Sequence, residues 1–304
     1  MAEGPKHMQN LLFTLISRVF VFVIVGAAVK KLLGKSGERT TRVFIWVALY
    51  VLIPFFVFLS MWANPVSVFD AWKVILAAVF VLAAGAALAL VWAYVRHIPF
   101  SRNCLPIIFM NSAYLAIPVN TLLLGSEGTT YALIYNVVVT VFHFTLGVWW
   151  VNTGGSIAEI MGLPVIYAIV AGAGLNFLAV TPPKILLSAN TLLTSVTLPI
   201  MLVFLGYRMA GIRPGGYGKA FAGVCLRMGG GLLAGWGAVH LFNISGPAAS
   251  VCIISSSMPA AVNSYILSER FNGDAEFAAA VVFLGTIFSL VTLPLISYCL
   301  AAAK

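Results

Sequence analysis

The chain has 304 residues, 62% of them apolar and 8% charged, with a mean hydropathy of +1.05 and a formal net charge of +9. A soluble domain is about a quarter charged, so this composition cannot dress a water-exposed surface. Soluble, disordered, collagen-like and coiled-coil classes are excluded. The basic excess sits mostly in short loops between apolar runs, a pattern that sets membrane topology and gives no reason to expect nucleic acid as a partner.

A helical span takes about 20 apolar residues. In chain order the apolar runs are 11–33, 43–62, 71–95, 104–125, 129–150, 163–180, 185–209, 217–242, 248–268 and 278–301. Ten spans fill the chain, and a polar stretch at 152–159 divides it at the middle. The expected organisation is a first five-helix repeat over 1–151, a short cytoplasmic linker at 152–160 and a second repeat over 161–304. Five is odd, so the second repeat is expected to be inverted across the bilayer.

Basic residues give the orientation. Lys30, Lys31, Lys35, Arg39, Arg42, Arg96, Arg102, Arg208, Arg213, Lys219 and Arg270 flank the odd-numbered loops, against Lys6, Lys73, Lys184 and Lys304 on the other side. The odd-numbered loops therefore face the cytoplasm and both termini lie on the non-cytoplasmic side. Cys104, Cys225, Cys252 and Cys299 have apolar neighbours and no CxxC spacing, so they read as small buried apolar residues. No metal or other cofactor is implied.

Two pairs of prolines recur in register. Pro54 and Pro199 lie in spans 2 and 7; Pro118 and Pro259 lie in spans 4 and 9, each followed closely by an asparagine, Asn120 or Asn263. Prolines in corresponding spans of two halves point to the binding site of an inverted-repeat transporter. A proline frees backbone carbonyls, and in lipid such a break survives only inside protein or beside a cavity. Spans 4 and 9 crossing at Pro118 and Pro259 would aim two half-helix N-termini at one spot, each with about half a positive charge, which favours an anion.

The polar groups near these breaks are amides and hydroxyls: Asn111, Ser112, Asn120 and Thr121 in span 4, Ser255, Ser256, Ser257, Asn263 and Ser264 in span 9, and Asn136, Thr140 and His143 in span 5. Every Asp and Glu falls in a terminus, a loop or a span end. A midplane cation site or proton relay wants negative charge there, so an organic anion suits the site better. Arg18 and Arg227 lie within spans but near enough to an end to snorkel, and Arg227 is also a candidate counter-ion. His143 reads as a core histidine or a proton carrier. Gly231 and Gly235 form a small-xxx-small pattern for close helix packing. An intramembrane enzyme would need a nucleophile and base such as Ser255–Ser257 with His240, but no G-x-S-x-G or H-E-x-x-H pattern is present. The chain is read as a transporter and not an enzyme; a non-transporting sensor is the remaining rival.

Residues 109–125, FMNSAYLAIPVNTLLLG, resemble the fourth helix of the auxin efflux carrier family, in which an Asn precedes the proline of the break by seven positions, as Asn111 precedes Pro118. Residues 255–295, from SSSMPAAVN to the T-L-P-L ending, resemble the family's ninth and tenth helices, and 11–61 resemble its first two. The family includes plant auxin carriers and bacterial permeases for malate or malonate, and belongs with the bile-acid-symporter-like folds.

The resemblance implies an all-α polytopic membrane protein of ten transmembrane helices in two inverted five-helix repeats with broken, crossing helices 4 and 9. Helices 1, 2, 6 and 7 would form a scaffold, usually homodimeric, and the others a transport domain. The implied function is secondary transport of a small organic anion, such as a carboxylate or auxin-like acid, across a cell membrane by elevator-type alternating access. The carboxylate would sit at the crossover, where Asn111 matches the family's carboxylate-binding Asn. Pro118, Asn120, Asn136, Ser257, Pro259 and Asn263 complete the expected substrate site, with Asp70, Lys73, His143 and Arg227 as accessory candidates. Asp70 and Lys73 resemble an Asp/Lys pair of plant carriers at a spacing of three instead of four. The long hydrophilic central loop of many plant carriers is absent, and the ninth-helix break lacks the Glu of sodium-coupled relatives. A sodium-coupled symporter of the bile-acid type stays as the alternative.

Overall fold

A computed structural model describes residues 19–33, 47–63, 68–151, 164–210, 216–271 and 273–302. The expected linker at 152–160 and the side chain of Asp70 lie outside the described residues, as does Arg18. Within the described residues the chain is helical, with one isolated antiparallel bridge, Met110 to Ala260.

In chain order the described helices of eight or more residues are α1 (Val21–Leu33), α2 (Ile53–Ala63), α3 (Val68–Arg96), α4 (Phe100–Ile108), α5 (Ala116–Phe142), α6 (Pro164–Phe177), α7 (Lys184–Met209), α8 (Tyr217–Val224), α9 (Gly230–Leu241), α10 (Gly246–Ser256), α11 (Val262–Arg270) and α12 (Ala275–Ala302). Single π turns precede α2 (Ala48–Leu52), follow α5 (His143–Gly147) and join α8 to α9 (Cys225–Gly229). Among the described residues, five stretches are long and apolar enough to cross a membrane: Ala71–Arg96, Ala116–Val151, Lys184–Met209, Tyr217–Leu241 and Ala275–Ala301. The chain is thus a polytopic helical membrane protein.

Local chemistry explains the boundaries. Asp274 caps α12, accepting from the Phe277 N–H at 2.9 Å. The long α5 stretch breaks at Gly125, whose φ of 66° and ψ of −151° is a conformation readily open only to glycine. Thr121 and Thr129 join hydroxyls across that break at 2.7 Å. Pro54 is the second residue of α2 and Pro199 lies inside an unbroken α7, so neither interrupts its helix.

Packing separates two groups of helices. The first is α1, α2, α6 and α7, in which α1 packs on α7 and α2 on both α6 and α7. Glycines permit the close approach: a Cβ at Gly206 would overlap the Val23 carbonyl, one at Gly26 the Val203 carbonyl, and one at Gly172 the Phe58 carbonyl. The second group gathers α3, α4, α5 and α8–α12 around the segments that interrupt α4/α5 and α10/α11. The two groups meet mainly where α5 touches α2 and α7.

The position of the first break differs from expectation. Pro118 does not interrupt a helix; it is the third residue of α5, where a missing N–H costs little. The interruption covers 109–115 instead. Asn111 therefore lies inside the break, not two turns before it. In the second half the break covers 257–261, and Pro259 lies within it as expected. Of the cysteines, Cys104 and Cys252 are buried, whereas Cys225 and Cys299 are exposed on the outer surface.

Candidate functional site

Two extended segments cross back to back. The Asn111 N–H donates to the Pro259 carbonyl at 2.7 Å, and the Ala261 N–H donates to the Phe109 carbonyl at 2.9 Å. Each segment separates two half-helices, so the crossing sorts four helix ends. The C-terminal ends of α4 and α10 face one side, and the N-terminal ends of α5 and α11 face the other.

On the N-terminal side, Asn111 and Ser112 line a nook of about 40 Å³ together with Tyr114, Asn136, Thr140, His143, Val262 and Asn263. Asn111 is buried, and most of its polar atoms are spoken for. Its carbonyl accepts from the Ala116 N–H at 3.2 Å and its Oδ1 accepts from the Tyr114 N–H at 3.1 Å. Its Nδ2 is buried with no partner among the described residues. An unmade donor in so dry a place is costly unless something fills the nook.

Asn136 is oriented by its neighbours. Ser112 Oγ donates to its Oδ1 at 2.8 Å and Thr140 Oγ1 lies 3.4 Å away, which commits the oxygen and leaves the NH₂ group. At the head of α11 the Val262 and Asn263 N–H groups have no acceptor among the described residues. The head of α5 is different: Ala116 and Ile117 donate back to Asn111 and Ala113, and Pro118 has no N–H. The donors of the nook are thus side-chain amides plus one helix N-terminus, with α5 contributing its dipole alone.

The nook adjoins a cavity of about 240 Å³ between the two helix groups, and the two share Tyr114, Asn136, Thr140 and Asn263. The wall opposite the amides carries Arg208, near the end of α7. The residue is half-buried, and its guanidinium makes no hydrogen bond or ion pair among the described residues. Sequence reading counted Arg208 only as a topology charge; its position at the end of an apolar helix gave no sign of a cavity. On the other side of α5, a cavity of about 780 Å³ between α1, α2, α7 and α5 is lined by hydroxyls such as Ser60, Thr121, Thr129 and Thr194, and by Pro118.

Several expected residues are placed elsewhere. Asn120 is fully buried and donates to the Ala116 carbonyl at 2.9 Å and to Ser255 Oγ at 3.1 Å, tying α5 to α10. Ser257 donates to the Ile254 carbonyl at 2.8 Å as part of the α10 end. Pro259 contributes its carbonyl to the crossing. Lys73 donates to the Asn243 carbonyl at 2.9 Å, anchoring the start of α3 to the end of α9. His143 stacks on Phe109 with ring centroids 4.1 Å apart, and its Nε2 lies 3.4 Å from Ser264 Oγ at the edge of the nook.

Arg227 neither snorkels nor lines these cavities. It is 1% exposed. Its Nη1 donates to the Ile107 and Ile108 carbonyls and its Nη2 to the Ser256 carbonyl at 2.8 Å. It thus joins the C-terminal ends of α4 and α10, on the side of the crossing away from the nook.

The crossing of two interrupted helices in an otherwise apolar bundle is an arrangement that membrane transporters use. Residues 156–297 match the membrane transport protein family. The chain is also 27% identical over 290 residues to an uncharacterized transporter of Methanothermobacter thermautotrophicus, spanning 91% of this chain and 94% of that protein. Both are in line with the resemblance to the auxin efflux carrier family, and residues 255–295 lie within the matched stretch.

Proposed function

We propose that the protein is a secondary transporter that binds the carboxylate of a small organic anion in the nook beside Asn111. The observation that carries this reading is the buried Nδ2 of Asn111, which has no partner among the described residues, beside the Val262 and Asn263 N–H groups, which have no acceptor among them either. Two helix N-termini together present about one positive charge, which a single carboxylate balances. Among the described residues, no acidic side chain lines the nook or the adjoining cavity. The rest of the substrate would occupy the cavity of about 240 Å³, where Arg208 supplies a cation from the opposite wall.

The same reading treats α1, α2, α6 and α7 as a scaffold and the crossover bundle as the moving part of an elevator, in two inverted five-helix repeats. The reciprocal packing of α1 on α7 and α2 on α6 supports it, since an inverted repeat exchanges these pairs. The cavities on either side of the α5 half-helix suit the two access routes of alternating access. A homodimer through the scaffold fits the spanning stretch Lys184–Met209, whose most apolar window is the least buried of the five. The protein would reside in a cell membrane with both termini on the non-cytoplasmic side.

A thermal-shift screen of purified protein against mono- and dicarboxylates tests the proposal. A ligand at about 100 times its dissociation constant stabilises by about 2.7 kcal/mol. Stabilisation by at least one carboxylate, abolished in Asn111→Asp, is the expected result; a flat response across the panel would sink it.

A further inference from the structure

We propose that Arg227 is a tethered cation: its guanidinium holds a carbonyl cradle that would otherwise need a free monovalent cation, and so makes the crossover independent of one. The cradle is built from three carbonyls, those of Ile107, Ile108 and Ser256, at the C-terminal ends of two separate half-helices. Each end carries about half a negative charge, so two converging ends make about one. One guanidinium balances it. No carboxylate among the described residues is bonded to Arg227, so its positive charge answers the carbonyls alone.

The space is shaped for this side chain. A Cβ at Gly231 would overlap both Arg227 Nη2 and the Ser256 carbonyl, so the glycine pattern of this helix serves the guanidinium as well as the packing of α9 on α10. Across the cradle, a Cβ at Gly85 would lie 3.2 Å from the Ile108 Cα and 3.6 Å from Arg227 Nη1. The result is a fully desolvated charge between backbone dipoles, where removing the partner leaves uncompensated charge and not merely a gap.

The consequence concerns coupling. Backbone carbonyls converging at the ends of interrupted helices are the ligands that sodium or potassium ions take in transporters with discontinuous helices. Here that place is filled covalently. The unliganded protein should therefore be indifferent to alkali cations, and deleting the side chain should expose a latent site for a small monovalent cation.

The test is the melting temperature of detergent-solubilised wild type, Arg227→Ala, Arg227→Met and Arg227→Lys, each in choline, sodium, potassium and non-denaturing guanidinium chloride at constant ionic strength. Wild type is expected to melt at one temperature in choline, sodium and potassium. Arg227→Ala is expected to melt lower in choline and to recover saturably with guanidinium or an alkali cation. Arg227→Met fills the space without charge and is expected to be low and unresponsive; Arg227→Lys is expected to lie between Met and wild type. An Ala variant that folds but responds to no small cation overturns the proposal, as does a Met variant as stable as wild type. Should the Ala variant fail to fold, the Lys-over-Met order decides: Lys higher supports the tethered charge, and equality overturns it. Because melting needs no substrate, this result is independent of whether the nook binds a carboxylate.

Discussion

Asn111 and Pro259 are held together by one backbone hydrogen bond of 2.7 Å, and that bond fixes which helix ends meet. With its companion from Ala261 to Phe109, it lays two extended segments antiparallel across the middle of the bundle. The C-terminal ends of α4 and α10 then converge on Arg227, while Asn111 and the N-terminal end of α11 border a nook lined by no acidic side chain among the described residues. The crossing thus has one cluster of helix ends neutralised from within by Arg227 and another that meets no acidic side chain among the described residues.

Replacing Asn111 should separate binding from folding. In Asn111→Asp the Oδ1 that accepts from the Tyr114 N–H is kept, the Nδ2 donor is lost and a negative charge enters the nook. Carboxylate binding should become undetectable, with a far smaller change in melting temperature. Asn111→Ala should weaken binding by about tenfold to a hundredfold, the value of a charge-assisted hydrogen bond of about 1.5–3 kcal/mol. Isothermal titration and melting on the same samples check both. Unchanged affinity in Asn111→Ala would remove the nook from the substrate path.

Asn120 should show the reverse pattern. Its amide joins the Ala116 carbonyl to Ser255 Oγ in a fully buried place and lines none of the cavities described above. Asn120→Ala should cost about 1–3 kcal/mol of stability, because Ser255 loses a partner, and should leave carboxylate affinity within about twofold. A large loss of affinity at constant stability would place Asn120 in the substrate site after all.

Orientation is open to labelling. Single cysteines at 34–40 should react only from the cytoplasmic side and those at 64–67 only from outside, as the distribution of basic residues requires. The background needs Cys225 and Cys299 replaced first, since both are exposed, whereas buried Cys104 and Cys252 can stay. The opposite pattern would invert the access routes.

How much of this was legible in the sequence follows from the range of each signal. Membrane residence and helical spans come from composition and run length, which act locally. The Pro118 and Pro259 pair located the two interrupted spans, but proline fixes φ and removes a donor without saying where the chain will leave the helix. In the first half it leaves at Phe109, held there by the bridge to Pro259 and Ala261 in the other half. No local pattern encodes that contact. For the same reason the sequence could not separate Asn111, whose Nδ2 is unused, from Asn120, whose amide joins two helices. Arg227 was ambiguous between snorkelling and counter-ion because its partners are carbonyls of other helices, which every residue carries. Arg208 was missed because a basic residue at a helix end is what topology alone predicts.

Arg208 gives the sharpest test of what the adjoining cavity reads. It stands on α7, whereas Asn111, Asn136 and Asn263 belong to the crossover bundle, so a substrate touching both would bridge the two helix groups. If the proposed site is right, an anion with one carboxylate would use the nook and need little from the far wall. On that proposal, an anion with a second acidic group would place it against a guanidinium that has no partner among the described residues. Arg208→Gln should therefore weaken dicarboxylates by about tenfold to a hundredfold, again from the 1.5–3 kcal/mol of a charge-assisted bond, and monocarboxylates by no more than about threefold. Arg208→Lys should recover part of the loss, since it keeps the charge without the planar fork. Affinities for a matched pair such as butyrate and succinate, measured on wild type and both variants, decide the matter. Equal weakening of the two ligands would make Arg208 a general attractor of anions, and no weakening of either would leave it a topology charge.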